Sequence, residues 1–255
     1  MDREPPPFVK RRPSAPSGFF STEAAALAWL AEPGVVRVPR VLAVDATTIT
    51  LERIMVGGPS DRGAEDLGRG LAELHAAGAP AFGAPWPGFI GPLPMDNEEV
   101  HDWPTFYAER RVQPFLRRAR DLGAVTSAQV VEIEGVLGRL RELAGASAGE
   151  PPSRIHGDLW SGNVVWDGDG LAWLIDPAAH GGHRETDLAM LDLFGLARLD
   201  RVLAAYDEAR PLADGWRSRV ALHQLHPLVV HAVLFGAPYG ARAASAAKAA
   251  RESLR

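Results

Sequence analysis

The chain has 255 residues, 46% of them hydrophobic and 23% charged, the balance of an ordinary globular protein able to bury a substantial core in one large domain or two unequal lobes. A net charge of −5 speaks against nucleic-acid binding, no apolar run reaches the roughly 18 residues of a membrane helix, and the lack of cysteine excludes disulfides and thiol chemistry. Met1-Asp2-Arg3-Glu4 opens no apolar leader, so a cytoplasmic location is the default expectation.

Phe8-Val9-Lys10 reads as a short strand and residues 13–18 as a loop. Ser21-Thr22 can cap a helix from Glu23 to about Ala31, which Pro33-Gly34 ends. Residues 35–43 and 47–54 are two β-prone runs with a turn at Asp45-Ala46. A helix over 64–77 aligns Leu67, Leu71 and Leu74, and the Gly- and Pro-rich stretch 78–104 reads as a long structured loop. Helices are expected over 105–122, 127–143, 185–197, 199–209 and 216–235, followed by an Ala-rich helical tail. His223, His226 and His231 share the helix expected over 216–235, but spacings of three and five do not bring all three to one face, so packing is favoured over a zinc site.

The stretch from Ile155 to Asp187 carries the chemistry. His156-Gly157-Asp158 follows the Pro151-Pro152 break, and Asn163 stands five residues after Asp158. Val164-Val165-Trp166 and Leu171 to Ile175 are β-prone runs joined by the turn sequence Asp167-Gly168-Asp169-Gly170. A hairpin brings Asn163, before its first strand, and Asp176, after its second, to the same end, where two oxygen ligands suit a hard cation such as Mg²⁺. An acidic base beside such a pair is the equipment of phosphoryl transfer: one carboxylate takes the proton of the attacking hydroxyl, while an amide and a second carboxylate hold metal on the nucleotide phosphates.

The segments H-G-D-L-W-S-G-N at 156–163, L-I-D-P-A at 174–178 and G-H-R-E-T-D-L-A-M at 182–190 resemble the fructosamine kinase (ketosamine-3-kinase) family, within the aminoglycoside phosphotransferase and choline kinase group. F-V-K at 8–10, F-F-S-T-E at 19–23, V-P-R-V-L-A-V at 38–44 and the histidine-rich run at 223–236 extend the likeness over nearly the whole chain. The resemblance implies an α+β, protein-kinase-like fold with a small β-rich lobe over 1–54 and a larger helical lobe over 55–255. It implies ATP and Mg²⁺ as cofactors, a Lys10–Glu23 ion pair that aims the lysine at the phosphates, and a hinge at Glu52-Arg53-Ile54 whose backbone bonds adenine. Asp158 becomes the base, and Asn163 and Asp176 the metal ligands. Trp160 stacks on the acceptor or packs in the core, and His183 and Arg184 are candidates to face the acceptor while their neighbours brace the metal loop. His156 is expected to support its loop through a hydrogen bond.

The acceptor implied is a ketosamine, a sugar attached to an amine by glycation. Its 3-phosphate is unstable and releases the amine, so the role would be deglycation repair. Another small aminosugar or amino-alcohol is the alternative acceptor, and a catalytically silent kinase-like binding protein is the alternative of a different class. The latter draws on one departure: the stretch before Lys10 leaves no room for the glycine-containing hairpin that covers the phosphates in such lobes, which puts nucleotide affinity in question and leaves an exposed edge at Phe8-Val9-Lys10.

Overall fold

The computed structural model describes residues 5–252. Three strands, β1 (Phe8–Arg11), β2 (Val41–Val44) and β3 (Thr48–Leu51), form an antiparallel sheet in the order β1-β3-β2, with α1 (Phe19–Ala31) between β1 and β2 in sequence. In register, Phe8 faces Leu51 and Lys10 faces Ile49. The pleat therefore sends Phe8 and Lys10 to the side of the sheet where Ile49 and Leu51 are buried. Phe20, Leu27, Ile49 and Leu51 make a small core that seats α1 on the sheet. Among the described residues β1 pairs only with β3 and so lies at the sheet edge, as expected.

The remainder is mostly helical: α2 (Asp61–Ala76), α3 (Trp103–Phe106), α4 (Gln113–Asp121), α5 (Ser127–Leu137), α6 (Leu140–Ala144), α7 (Arg184–Phe194), α8 (Leu199–Ala209), α9 (Trp216–His223), α10 (Leu225–Phe235) and α11 (Ala237–Glu252). Three two-stranded antiparallel pairs are set among them: β4 (Gly88–Ile90) with β5 (Leu93–Met95), β6 (Ser153–Ile155) with β9 (His180–Gly182), and β7 (Val164–Trp166) with β8 (Ala172–Leu174). One core joins α2, α7 and α8 to the β7–β8 hairpin through Leu67, Leu71, Leu74, Leu174 and Tyr206. A larger one joins α3–α5 to α9–α11.

Several boundaries differ from expectation. α1 begins at Phe19, four residues early, because Gly18 (φ 81°) turns the chain into the helix and Ser21 bonds back to Gly18 O instead of capping. α2 begins at Asp61, since Ser60 accepts from Gly63 N–H at 2.9 Å while donating to Gly170 O. The stretch 78–104 is not all loop: β4 and β5 lie within it. Residues 107–112 adopt a wider π-helical turn ahead of Pro114, which has no N–H for the carbonyl of Arg110; the Arg111 guanidinium bonds that carbonyl instead. The helix expected over 216–235 is two helices. Pro227 cannot bond the His223 carbonyl, and the buried Tyr107 hydroxyl enters the gap, within 2.8–3.0 Å of the carbonyls of Leu222 and His223 and accepting from His226 N–H.

Candidate active site

The β7–β8 hairpin places Val164 opposite Leu174 and Trp166 opposite Ala172. Ile175 N–H extends the ladder to Asn163 O at 3.0 Å, which brings Asn163 and Asp176 to one end of the hairpin. The Asn163 side-chain amide donates to the backbone carbonyl of Asp158 at 2.8 Å and to its carboxylate at 3.0 Å. Both partners are acceptors, so the nitrogen must face them and the Asn163 carbonyl oxygen is left for another ligand. Asp176 is exposed and held at φ 53°, a left-handed conformation unusual outside glycine, which marks the point where the strand turns into the cleft.

Asp187, fully buried on α7, fixes the loop that carries Asp158. Its two carboxylate oxygens accept from the N–H groups of His156 (2.7 Å) and Gly157 (2.9 Å), and His75 on α2 approaches one of them at 3.2 Å. Burial alone would raise the Asp187 pKa, but the hydrogen bond and charge of His75 and the contacts with His156 outweigh it and hold the group below its ordinary value. Gly157 sits at φ 79° with its Cα against the Ala178 carbonyl, where a Cβ would come within 2.3 Å of the oxygen. His156 is fully buried; its Nδ1 accepts from Asp158 N–H, so Nε2–H donates to Ile175 O at 2.9 Å. Burial keeps it neutral, and the expected bracing role agrees with this geometry.

Burial lifts the Asp158 carboxyl to about 7; the charges of Asp176 and Asp187 push the same way and the Asn163 hydrogen bond opposes them. Lys10 lies between two carboxylates, 2.5 Å from Glu23 and in contact with Asp176. Burial would lower its pKa, but both acids hold it above the ordinary lysine value. Glu23 is raised, chiefly by its own burial. Asp158, Trp160, Asn163, Asp176, Lys10 and Glu23 line one cavity. Phe19 and Phe89 also line it, in edge-to-face contact at 5.2 Å, and neither was singled out from the sequence. The F-F-S-T-E segment held the only signal for Phe19, and β4, which supplies Phe89, falls in the stretch that reads as loop.

A second, mostly apolar cavity opens on the other side of Lys10 and Asp176. Phe8, Leu51, Ile54, Val56, Val165 and Ile175 line it, together with Glu52. Glu52 accepts from the Arg40 N–H and guanidinium through one carboxylate oxygen and gives its own N–H to Arg40 O. Trp160 is 37% exposed at the rim of the first cavity, its ring folded over Gly162, and it meets Phe194 edge to face at 5.8 Å.

His183 and Arg184 lie elsewhere. His183 caps α7 by accepting from Glu185 N–H and donates Nε2–H to Ser147 O, and Arg184 grips Glu150 through two bonds of 2.7 and 2.9 Å. Both are buried and neither reaches the cavity with Asp158, which corrects their assignment to the acceptor. The α7 N-terminus needed a cap and a charge partner at a buried junction, and these two residues supply them. His183, Glu185 and His223 come within metal-binding distance of one another. Yet Arg219 occupies both Glu185 oxygens and both His183 ring nitrogens are engaged, so no ligand set is free there. His226 and His231 bond the carbonyls of Arg111 and Pro227, in keeping with packing roles.

The fold and this cleft define a two-lobe, kinase-like α+β enzyme. The sequence description of the fructosamine kinase family matches residues 1–252, and the chain belongs to that family of phosphotransferases. A candidate ketoamine kinase of Enterococcus faecium is 35% identical over 92% of this chain and 84% of its own length, and the protein-ribulosamine 3-kinase of Arabidopsis thaliana is 34% identical over 93% and 74%. A crystal structure of a candidate fructosamine-3-kinase from Thermobifida fusca superposes with a TM-score of 0.92 at 53% identity, covering 96% of this chain and 85% of that one. Choline kinase LicA of Streptococcus pneumoniae shares the fold at 15% identity and a TM-score of 0.57.

Proposed function

We propose that the chain is an ATP-dependent kinase that phosphorylates a sugar hydroxyl of a ketosamine. The observation that carries this is the meeting of Asp158, Asn163, Asp176 and the Lys10–Glu23 pair in one acidic cavity with aromatic walls, with Lys10 and Asp176 also bordering a second, apolar cavity. The apolar cavity suits adenine, with the Glu52 carbonyl and Ile54 N–H as its hydrogen-bonding edge. Lys10, freed from Asp176, reaches the phosphates while Glu23 holds it in line. The Asn163 oxygen and the Asp176 carboxylate are the hard donors that fit Mg²⁺, which when bound neutralises charge on the transferring phosphate.

Asp158 accepts the proton of the acceptor hydroxyl as its oxygen attacks the terminal phosphorus and the bond to the ADP oxygen breaks. A carboxyl titrating near neutrality is matched to that task. Phe19, Phe89 and Trp160 offer apolar surface to the sugar and its linker, and the acids of the cavity favour a protonated secondary amine. The relatives named as ketoamine and ribulosamine kinases support this acceptor class over a choline-type one. Release of the amine from the product phosphate would make the reaction a deglycation step.

The test is acceptor-dependent ADP release with fructosyl-lysine, the product read by mass spectrometry and ³¹P NMR. A phosphorylated ketosamine that decays to free lysine supports the proposal. Phosphorylation of choline or an aminoglycoside, but no ketosamine, would replace it.

A further inference from the structure

Beyond the cavity that holds Asp158, an aromatic strip runs from its rim across α7, α10 and α11. Trp160 touches Phe194 (5.8 Å), Phe194 touches His231 (4.9 Å), and His231 touches both Phe235 (5.4 Å) and Tyr239 (5.0 Å). The Arg242 guanidinium sits over Phe194 at 5.7 Å and over Tyr239 at 5.4 Å. The strip is not core: Phe235 is 61% exposed, and Phe194, His231 and Tyr239 are part-exposed. Single exposed apolar residues are ordinary, but a contiguous aromatic patch adjoining a cavity is a binding feature. α10 also comes close to the cavity wall: Leu234 lies 4.0 Å from where a side chain at Gly91, one of the lining residues, would begin.

Two polar features complete the strip. His231 donates Nδ1–H to Pro227 O at 2.7 Å, which leaves Nε2 as an acceptor. Arg242 has no carboxylate ion-pair partner among the described residues, whereas Arg251 on the same helix pairs with Glu132. Trp160, which lines the cavity with Asp158 and is itself exposed, is the point where that cavity adjoins the strip.

Resting on the kinase reading above, we propose that this strip is a subsite for the amine-borne part of the acceptor: a glycated lysine within a peptide, its flanking chain lying on Phe194, Tyr239 and Phe235 and a carboxylate meeting Arg242. Aromatic rings bind a peptide chain with little loss of conformational entropy, and a guanidinium recognises a carboxylate in a forked geometry. The strip sets which glycated amines are preferred and leaves the phosphoryl transfer itself to the cavity.

The experiment compares two acceptors on wild type, Phe235→Ala and Arg242→Gln. One is a short peptide with fructosyl-lysine next to an acidic residue; the other is the ketosamine of methylamine, which has nothing to lay on the strip. The expected result is a loss of at least about threefold in kcat/KM on the peptide for both variants, carried by KM, with the methylamine acceptor and the KM for ATP at wild-type values. No loss on the peptide, or an equal loss on both acceptors, would overturn the subsite while leaving the kinase reading intact. Wild-type transfer to neither acceptor would remove both. Light scattering that shows Phe235→Ala dissociating a dimer, with acceptor kinetics unchanged, would assign the strip to a second copy instead.

Discussion

Asn163 gives one side-chain amide to two oxygens of the same residue, the backbone carbonyl and the carboxylate of Asp158. The proposed base and the proposed metal ligand are therefore positioned by each other: the amide that orients Asp158 leaves the Asn163 carbonyl oxygen for another ligand. Asn163→Ala removes a ligand and loosens the base together, so kcat should fall by at least about 10²-fold and the Mg²⁺ concentration for half-maximal rate should rise. A Mg²⁺ titration of initial rates checks both effects; a fall in kcat alone would take Asn163 out of metal binding.

The half-buried Asp158 gives the stability of the ligand-free protein an inverted pH dependence. Its pKa is raised from the ordinary 3.8 to about 7, so between these values the folded state binds a proton that the unfolded state has released. Stability from this group is full below pH 4 and is lost as pH rises to about 7. Asp158→Asn cannot ionise, so it should be the more stable protein at pH 8, by about 1–3 kcal/mol, with the gain vanishing near pH 4. Denaturant unfolding at the two pH values measures this.

Lys10 contacts Asp176 Oδ1, an oxygen that the proposed metal would use. Lys10→Ala should therefore bind Mg²⁺ more tightly in the absence of nucleotide, while kcat/KM for ATP falls by at least about tenfold for want of the phosphate contact. Calorimetry with Mg²⁺ alone, beside steady-state kinetics, separates the two effects. Weaker binding of Mg²⁺ by the variant would place the metal elsewhere.

Asp187 lines neither the cavity with Asp158 nor the apolar one beside it, yet its removal should be among the costliest changes in the chain. Asp187→Ala leaves the N–H groups of His156 and Gly157 and the ring of His75 without their buried acceptor, which should cost about 3–5 kcal/mol. A variant that still folds should keep its KM for ATP and lose kcat, because only the proposed base is misplaced. Thermal unfolding and the kcat–KM division test this together.

The candidate site's geometry was legible in the sequence because it is local: residues 156–176 form one loop and one hairpin, and turn residues fix where the hairpin reverses. The Lys10–Glu23 pair came only through family likeness, since nothing local joins a strand end to a helix thirteen residues on. His183 and Arg184 were misassigned because sequence proximity to the metal loop says nothing about direction; α7 turns both into the interior, toward Ser147 and Glu150. The break at Gln224 was hidden because a proline near a helix start and one inside a helix look alike until Tyr107, over a hundred residues away, is seen filling the gap.

The most direct test of the account is transfer of the terminal phosphate of labelled ATP to fructosyl-lysine in a single turnover, by wild type and by Asp158→Asn. The account predicts Mg²⁺-dependent transfer by wild type and a rate slower by at least about 10²-fold in the variant, which still folds and binds ATP. Equal rates in the two proteins, or no transfer by wild type, would contradict it.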